Sequence, residues 1–230
     1  MSMVAARRAL LAWHRLRRQP SALLLAVQLL GVLAYPWMEH TPAGRALFGV
    51  FGILVLVLAL WVIRHGPARR WVGWALALPA IGLSLLAGVH SDAMPLVVAA
   101  QAFEGALYAY AAYGLIRYML SDHTVTRDEL YAAGATFTLL AWSFAYAYSV
   151  CQLLLPGSFT AAVDPASART WMELLFLSFT SLSSTGLGDV LPISPPARAL
   201  AMLEMFAGVM YMALVVSRLI GLVAAPRQVD

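Results

Sequence analysis

Long apolar stretches separated by short polar segments dominate the chain. Six of them have about the 20 residues that a helix needs to cross a bilayer. They run near residues 20–38, 44–63, 71–90, 94–119, 129–155 and 197–220. This pattern predicts an all-α integral membrane protein with six transmembrane helices.

A shorter apolar segment, 171–182, lies between the fifth and sixth stretches and leads at once into backbone rich in Ser, Thr and Gly. Thr170 and Glu173 have the spacing of a capping box, which predicts that a short helix begins here. Backbone outside a helix is tolerated at membrane depth only where it is buried in protein or lines a water-filled path. Residues 171–195 are therefore the candidate functional region.

Composition and charge agree with a membrane location. Hydrophobic residues make up 62% and charged residues 11% of the chain, against about 45–50% and about 25% in soluble domains. All 15 basic residues are arginines in short segments between apolar stretches, not on one basic face, so no nucleic-acid partner is expected. With both termini cytoplasmic, only Arg45, Arg169 and Arg198 lie outside. We expect a multi-pass protein of the plasma or inner membrane in the lipid bilayer.

Residues 184–189 read Ser-Thr-Gly-Leu-Gly-Asp. Glycines at alternate positions, Gly186 and Gly188, permit left-handed backbone dihedrals, so successive carbonyl groups can point toward one axis. Four such strands around an axis replace the hydration shell of an ion with carbonyl oxygens, and a hydroxyl at the inner end adds a further ring. The mechanism implies a homotetramer, in which each chain has three identical partner subunits.

The segment from Ser178 to Pro192 resembles the pore signature of the potassium channel superfamily, whose filter usually reads T-V-G-Y-G-D. The likeness extends over about 50 residues, from Trp171 to Leu219. It implies that residues 184–189 form a selectivity filter. Ser184 takes the position of the family's threonine, Thr185 that of the valine and Leu187 that of the tyrosine. Gly186, Gly188 and Asp189 match the two glycines and the aspartate. K⁺ ions are then expected at Ser184, Thr185, Gly186 and Leu187. Leucine in place of tyrosine removes a hydroxyl and a ring that brace the filter, so weaker selectivity is expected.

Four residues are predicted to support the filter: Asp189, Thr180, Glu173 and Glu204. An acid within a transmembrane helix is costly unless it is hydrogen-bonded or protonated. We expect Glu204 to bond hydroxyls or backbone behind the filter, either as a structural contact or as a pH sensor.

The sixth stretch is predicted to be the inner helix, which lines the pore. Gly208 lies at the position where the resembled family often has a hinge glycine, and close helix packing is the alternative explanation for it. Helical periodicity places Val209, Met212, Val216 and Ile220 on the pore-lining face, with Val216 or Ile220 as the candidate constriction.

The predicted organisation is a cytoplasmic basic segment (1–19), a four-helix domain (20–120), a linker (121–128), a pore domain (129–221) and a cytoplasmic tail (222–230). The pore domain comprises an outer helix, a pore helix at 171–182, the filter at 184–189 and an inner helix at 197–220. The four-helix domain resembles a voltage sensor without gating charges, because its fourth span has only Arg117, at the cytoplasmic end. A charge moved through the membrane is worth about 2.3 kcal/mol per 100 mV, so steep voltage dependence is not expected.

The sequence thus predicts a tetrameric cation channel that conducts potassium, with permeant K⁺ in the filter as its only bound group and no enzymatic activity. No cytoplasmic ligand-sensing domain is expected, and no regulator is specified. A weakly selective sodium/potassium leak channel is one alternative. A small membrane transporter is another, but it requires inverted repeats or broken helices in two halves, and the re-entrant segment occurs once in this sequence.

Overall fold

The computed structural model describes residues 19–39, 69–90, 92–121 and 126–224, with isolated helical positions between 51 and 61. Outside the described residues lie the remaining parts of four predicted segments: the span 44–63, the segment 1–19, the linker 121–128 and the tail 222–230. The helices are α1 (Pro20–Glu39), α2 (Arg70–Val89), α3 (Met94–Met119), α4 (Arg127–Leu154), α5 (Trp171–Leu182), α6 (Pro195–Tyr211) and α7 (Ser217–Ala224). A π-helical segment, Met212–Val216, joins α6 to α7. Two strands, β1 (Phe159–Ala161) and β2 (Val190–Pro192), flank α5.

Three helices of the described part are long and apolar enough to cross a membrane: Trp71–Val89, Arg127–Leu154 and Pro195–Gly221. The segments Pro20–Tyr35 and Trp171–Leu182 are apolar but shorter. Helix α3 has 26 residues but is not among these three. The fold is therefore helical and suited to a membrane, and the six-span arrangement stays a prediction.

Helix α4 is the centre of the described fold. Helix α3 packs along it, and α1, α5 and α6 also contact it, whereas α2 packs on α3. One hydrophobic cluster extends from Leu107 on α3 through Trp142 on α4 to Leu175 on α5 and Val215 in the π segment. The helices before and after residue 120 therefore share a core, and the predicted domain boundaries stay a prediction.

Buried polar contacts fix α1 against α4. The carboxylate of Asp128, in the first turn of α4, accepts hydrogen bonds from the N–H (3.1 Å) and hydroxyl (2.9 Å) of Ser21 in the first turn of α1. A carboxylate is favourable there because the N–H groups of a helix N-terminus lack partners within the helix. Further along, the Thr138 hydroxyl donates to Gln28 Oε1 (2.7 Å). The two helices therefore begin at the same end of the bundle.

The two strands form an antiparallel ribbon that joins the segment before α5 to the segment after it. Phe159 pairs with Pro192 and Ala161 with Val190. The Ser158 carbonyl oxygen also accepts from the N–H of Ile193 (2.9 Å). The all-α prediction missed this ribbon because strands of three residues have no detectable periodicity.

Candidate functional site

Helix α5 begins as the sequence predicts. The Thr170 hydroxyl accepts from the N–H of Glu173 (3.3 Å), and the Glu173 carboxylate accepts from the N–H of Thr170 (2.6 Å), which completes a capping box. Glu173 also pairs with Arg169 (3.1 Å), whose buried guanidinium donates to carbonyl oxygens of the preceding loop. These contacts place Glu173 at the end of α5 remote from residues 184–188, so it stabilises the start of the helix and does not contact the predicted filter.

The other end of α5 leads into residues 184–188, which we call the filter ribbon. The Thr180 carbonyl oxygen accepts from the N–H groups of Thr185 (3.1 Å) and Gly186 (3.3 Å), and the Ser184 N–H bonds the Ser181 carbonyl oxygen (3.1 Å). The bonds from Ser184 and Thr185 have the pattern of a Schellman motif, which commonly ends a helix. The ribbon is thus held by N–H groups that turn back toward α5, and Thr180 supplies the main acceptor.

Left-handed backbone occurs at alternate positions of the filter ribbon, Ser184 (φ 58°) and Gly186 (φ 64°). Alternation of backbone hand turns successive N–H groups to one side. The sequence permits this conformation at Gly186 and Gly188, and the structure adopts it at Gly186 but not at Gly188. Ser184 takes the conformation instead because it is the residue at which the Schellman motif reverses the chain.

The carbonyl oxygens of residues 184–188 accept no hydrogen bond from any residue that the structure describes. The carbonyl oxygen of Asp189, next along the chain, accepts from the N–H of Ala162 (3.2 Å) and so ties the end of the ribbon to the loop after β1. All the ribbon residues are exposed, Leu187 to 72%. Backbone carbonyl groups usually have hydrogen-bond partners, and five successive free oxygens can coordinate a cation that has lost its water.

Glu204 lies fully buried between α4, α5 and α6. The Tyr148 hydroxyl on α4 donates to one carboxyl oxygen, and the Ser178 hydroxyl on α5 hydrogen-bonds the other. The acid therefore contacts hydroxyls of its own chain on the element that carries the filter ribbon. Its role as a pH sensor stays a prediction.

Gly208 lies where α6 crosses the end of α5. A Cβ atom at this position would lie 2.0 Å from the Leu182 carbonyl oxygen and 2.8 Å from the carbonyl carbon. No side chain fits because these are backbone atoms in a closely packed interior. Close packing therefore accounts for the glycine, and its role as a hinge stays a prediction.

A cavity of about 470 Å³ lies beneath the filter ribbon. Its lining comprises Leu182, Ser183, Ser184, Gly208, Val209, Met212, Ala213 and Ser217. Two of the predicted pore-lining residues, Val209 and Met212, are thus present, together with the predicted hinge residue Gly208. Ile220 is exposed further along α7, but Val216 packs partly buried against the hydrophobic core.

The π segment explains the displacement of Val216. A π turn contains one residue more than an α turn, and here the Ser217 N–H bonds the Met212 carbonyl oxygen, five residues back. One extra residue rotates the following helix by about 100°. Ser217 therefore lines the cavity where uninterrupted α-helix would place Val216, and the constriction at Val216 or Ile220 stays a prediction.

Three residues of the site were missed by sequence reasoning: Tyr148, Ser178 and Ser217. Tyr148 is one of several tyrosines in an apolar stretch, and nothing in its spacing separates it from residues that pack in the core or face lipid. Ser178 becomes a partner of Glu204 only through the crossing of α5 and α6. Ser217 depends on the π segment, which has no sequence signature.

A short capped helix, a re-entrant ribbon with free carbonyls and an adjoining apolar helix define a pore-loop membrane protein. Residues 106–225, more than half of the chain, match the family model described as "Ion channel". The chain belongs to this family of cation channels, with a pore domain of the potassium channel superfamily type. No curated protein and no solved structure matches it.

Proposed function

We propose that the protein is a tetrameric potassium channel of the cell membrane that responds little to voltage and has both termini in the cytoplasm. The observation that carries the proposal is the filter ribbon, whose N–H groups at Thr185 and Gly186 bond back to α5 while five successive carbonyl oxygens accept no hydrogen bond within the described residues. Carbonyl rings of this kind replace the hydration shell of K⁺ in potassium filters.

The proposed assembly contains three further copies of the chain. The carbonyl groups of one ribbon do not surround an ion, so an ion on an axis needs several ribbons around it. Helix α6 exposes a run of large apolar side chains next to the ribbon, namely Met202, Leu203, Met205, Phe206 and Val209. Such a surface suits burial against a neighbouring subunit or lipid.

Ion flux into liposomes that contain the purified protein tests the proposal. We expect uptake of K⁺ well above that of Na⁺, together with block by Ba²⁺. Gly186→Ala should abolish K⁺ uptake, because an alanine at φ 64° is strained. Gly82→Ala is the matched control, since a Cβ there meets no atom within 4 Å. Equal loss in both variants, or no cation uptake by the unaltered protein, would contradict the proposal.

A weakly selective sodium/potassium leak channel is the second candidate. Leu187 occupies the position of the filter tyrosine. Its side chain has no hydroxyl to brace the ribbon, and it is largely exposed. Reversal potentials with K⁺ on one side of a planar bilayer and Na⁺ on the other distinguish the two. A reversal potential near zero would favour the leak channel.

A further inference from the structure

Glu104, on α3, hydrogen-bonds a serine whose hydroxyl is also within reach of a backbone carbonyl oxygen. The Ser84 hydroxyl lies 2.7 Å from the Ala80 carbonyl oxygen, one turn earlier on α2. The same serine oxygen is hydrogen-bonded to Glu104 Oε1. The single hydroxyl proton of Ser84 is therefore within reach of two acceptors. A proton on the carboxyl group would give the second contact a donor of its own.

The site around Glu204 has the same construction. The Ser178 hydroxyl lies 2.7 Å from the carbonyl oxygen of Ala141 on α4 and is also hydrogen-bonded to Glu204 Oε1. Here too one hydroxyl proton is within reach of two acceptors, and a proton on the carboxyl group would give the second contact a donor of its own.

A tyrosine of α4 binds each acid on its other side. Tyr148 hydrogen-bonds Glu204 Oε2, and the Tyr146 hydroxyl hydrogen-bonds the Glu104 carboxyl group. At Glu204 the tyrosine can donate to one acid oxygen while the other acid oxygen donates to serine. We propose that Glu104 and Glu204 are proton-binding sites, each occupied in the folded protein, in which a neutral acid joins a serine on one helix to a tyrosine on another.

Among the residues that the structure describes, neither Glu104 nor Glu204 pairs with an arginine or a histidine. The titratable groups that face Glu104 in this part of the chain are the hydroxyls of Tyr108 on α3 and Tyr146 on α4, and α2 contributes Ser84. Tyr148 on α4 faces Glu204, and α5 contributes Ser178. An unpaired carboxylate within a transmembrane helix is costly, so the surroundings favour the protonated form.

The proton on Glu104 links the helices before residue 120 to the pore region. Glu104 joins α2 to Tyr146 on α4. The Tyr146 ring lies 5.8 Å from the ring of Trp171, the first residue of α5. Loss of this proton would leave a charge between these helices and remove the donor to Ser84, so the front helices would be less firmly attached to α4.

Infrared spectroscopy of the purified full chain at neutral pH tests the proposal, in vesicles of ether-linked lipids that contain no ester carbonyl groups. A protonated carboxyl group has a C=O stretching band that a carboxylate lacks and that moves in D₂O. We expect this band in the unaltered protein, a partial loss in Glu104→Gln and in Glu204→Gln, and complete loss in the double variant. Asp92→Asn, at an exposed turn between α2 and α3, should leave the band unchanged.

Absence of the band from the unaltered protein would overturn the proposal without any variant. A band that survives one glutamine substitution unchanged would overturn that site alone. If a variant does not fold, the unaltered protein can be prepared with ¹³C-labelled glutamate. The label should then shift the band, and a band that does not shift would exclude both acids. The proposal relies on the membrane location in the proposed function but not on conduction, because the spectrum reports protonation whether or not K⁺ passes.

Discussion

Contact between backbones, rather than side-chain chemistry, decides which residue can occupy position 208. The Cα atom of Gly208 lies against the peptide group of Leu182, the last residue of α5. The filter ribbon begins two residues after Leu182. A change at this contact is therefore passed directly to the ribbon.

Gly208→Ala should lower the free energy of unfolding by about 1–3 kcal/mol, the usual effect of overpacking a closely packed interior. It should also reduce K⁺ uptake, since relief of the overlap moves α6 away from α5. Gly221→Ala is the control because a Cβ there meets nothing within 4 Å. Thermal unfolding in detergent measures the first effect, and equal melting of both variants would contradict the close contact.

Individual residues could be predicted from the sequence where one property was sufficient. Gly186 and Glu204 were found because a glycine in a re-entrant segment and an acid in an apolar helix are conspicuous. The left-handed conformation of Ser184 was not found, because it depends on hydrogen bonds that end α5. Partners such as Ser178 require the angle at which two helices cross, and a single sequence does not contain it.

At the scale of elements, the π segment is the feature that most changes the account of the pore. It places Ser217, a hydroxyl, in the cavity below the filter ribbon and turns Val216 toward the core. A polar lining keeps a narrow path wet, whereas an apolar one favours dewetting. The wall of the cavity is therefore more polar than helical periodicity predicts.

Ser217→Leu should lower single-channel conductance in planar bilayers several-fold, because it adds an apolar ring to the cavity. Val216→Leu should alter conductance little, since this side chain packs against the core. An uninterrupted α-helix predicts the reverse order of the two variants. A larger effect of Val216→Leu would therefore exclude the π register in the conducting state.

Element boundaries were predictable where capping residues mark them. The start of α5 follows from the Thr170–Glu173 box. Helix α6 begins at Pro195, two residues before the predicted bound of 197, because proline suits the first turn of a helix. The β1–β2 ribbon and the π segment were not predictable, because each consists of a few residues stabilised by contacts with distant parts of the chain.

At the scale of the whole molecule, the helices before residue 120 pack on the pore region but supply little charge to the membrane. Arg117 is the only basic residue of α3, and it lies exposed in its last turn over the ring of Tyr113. This arrangement supports attachment of the front helices to α4 rather than movement of charge through the bilayer.

The conductance of the purified channel in planar bilayers should therefore change only gradually with voltage. Each elementary charge crossing the membrane contributes about 2.3 kcal/mol per 100 mV, and one charge at a helix end supplies a small part of what a steep response needs. A steep sigmoidal curve of conductance against voltage would show that other residues move charge.

The most direct test of the central claim is an experimental structure of the protein in lipid with Rb⁺ in place of K⁺. The account predicts four copies around an axis, with Rb⁺ density on the axis between the carbonyl oxygens of residues 184–188. Ribbons that face lipid or solvent, or an assembly without fourfold arrangement, would contradict it.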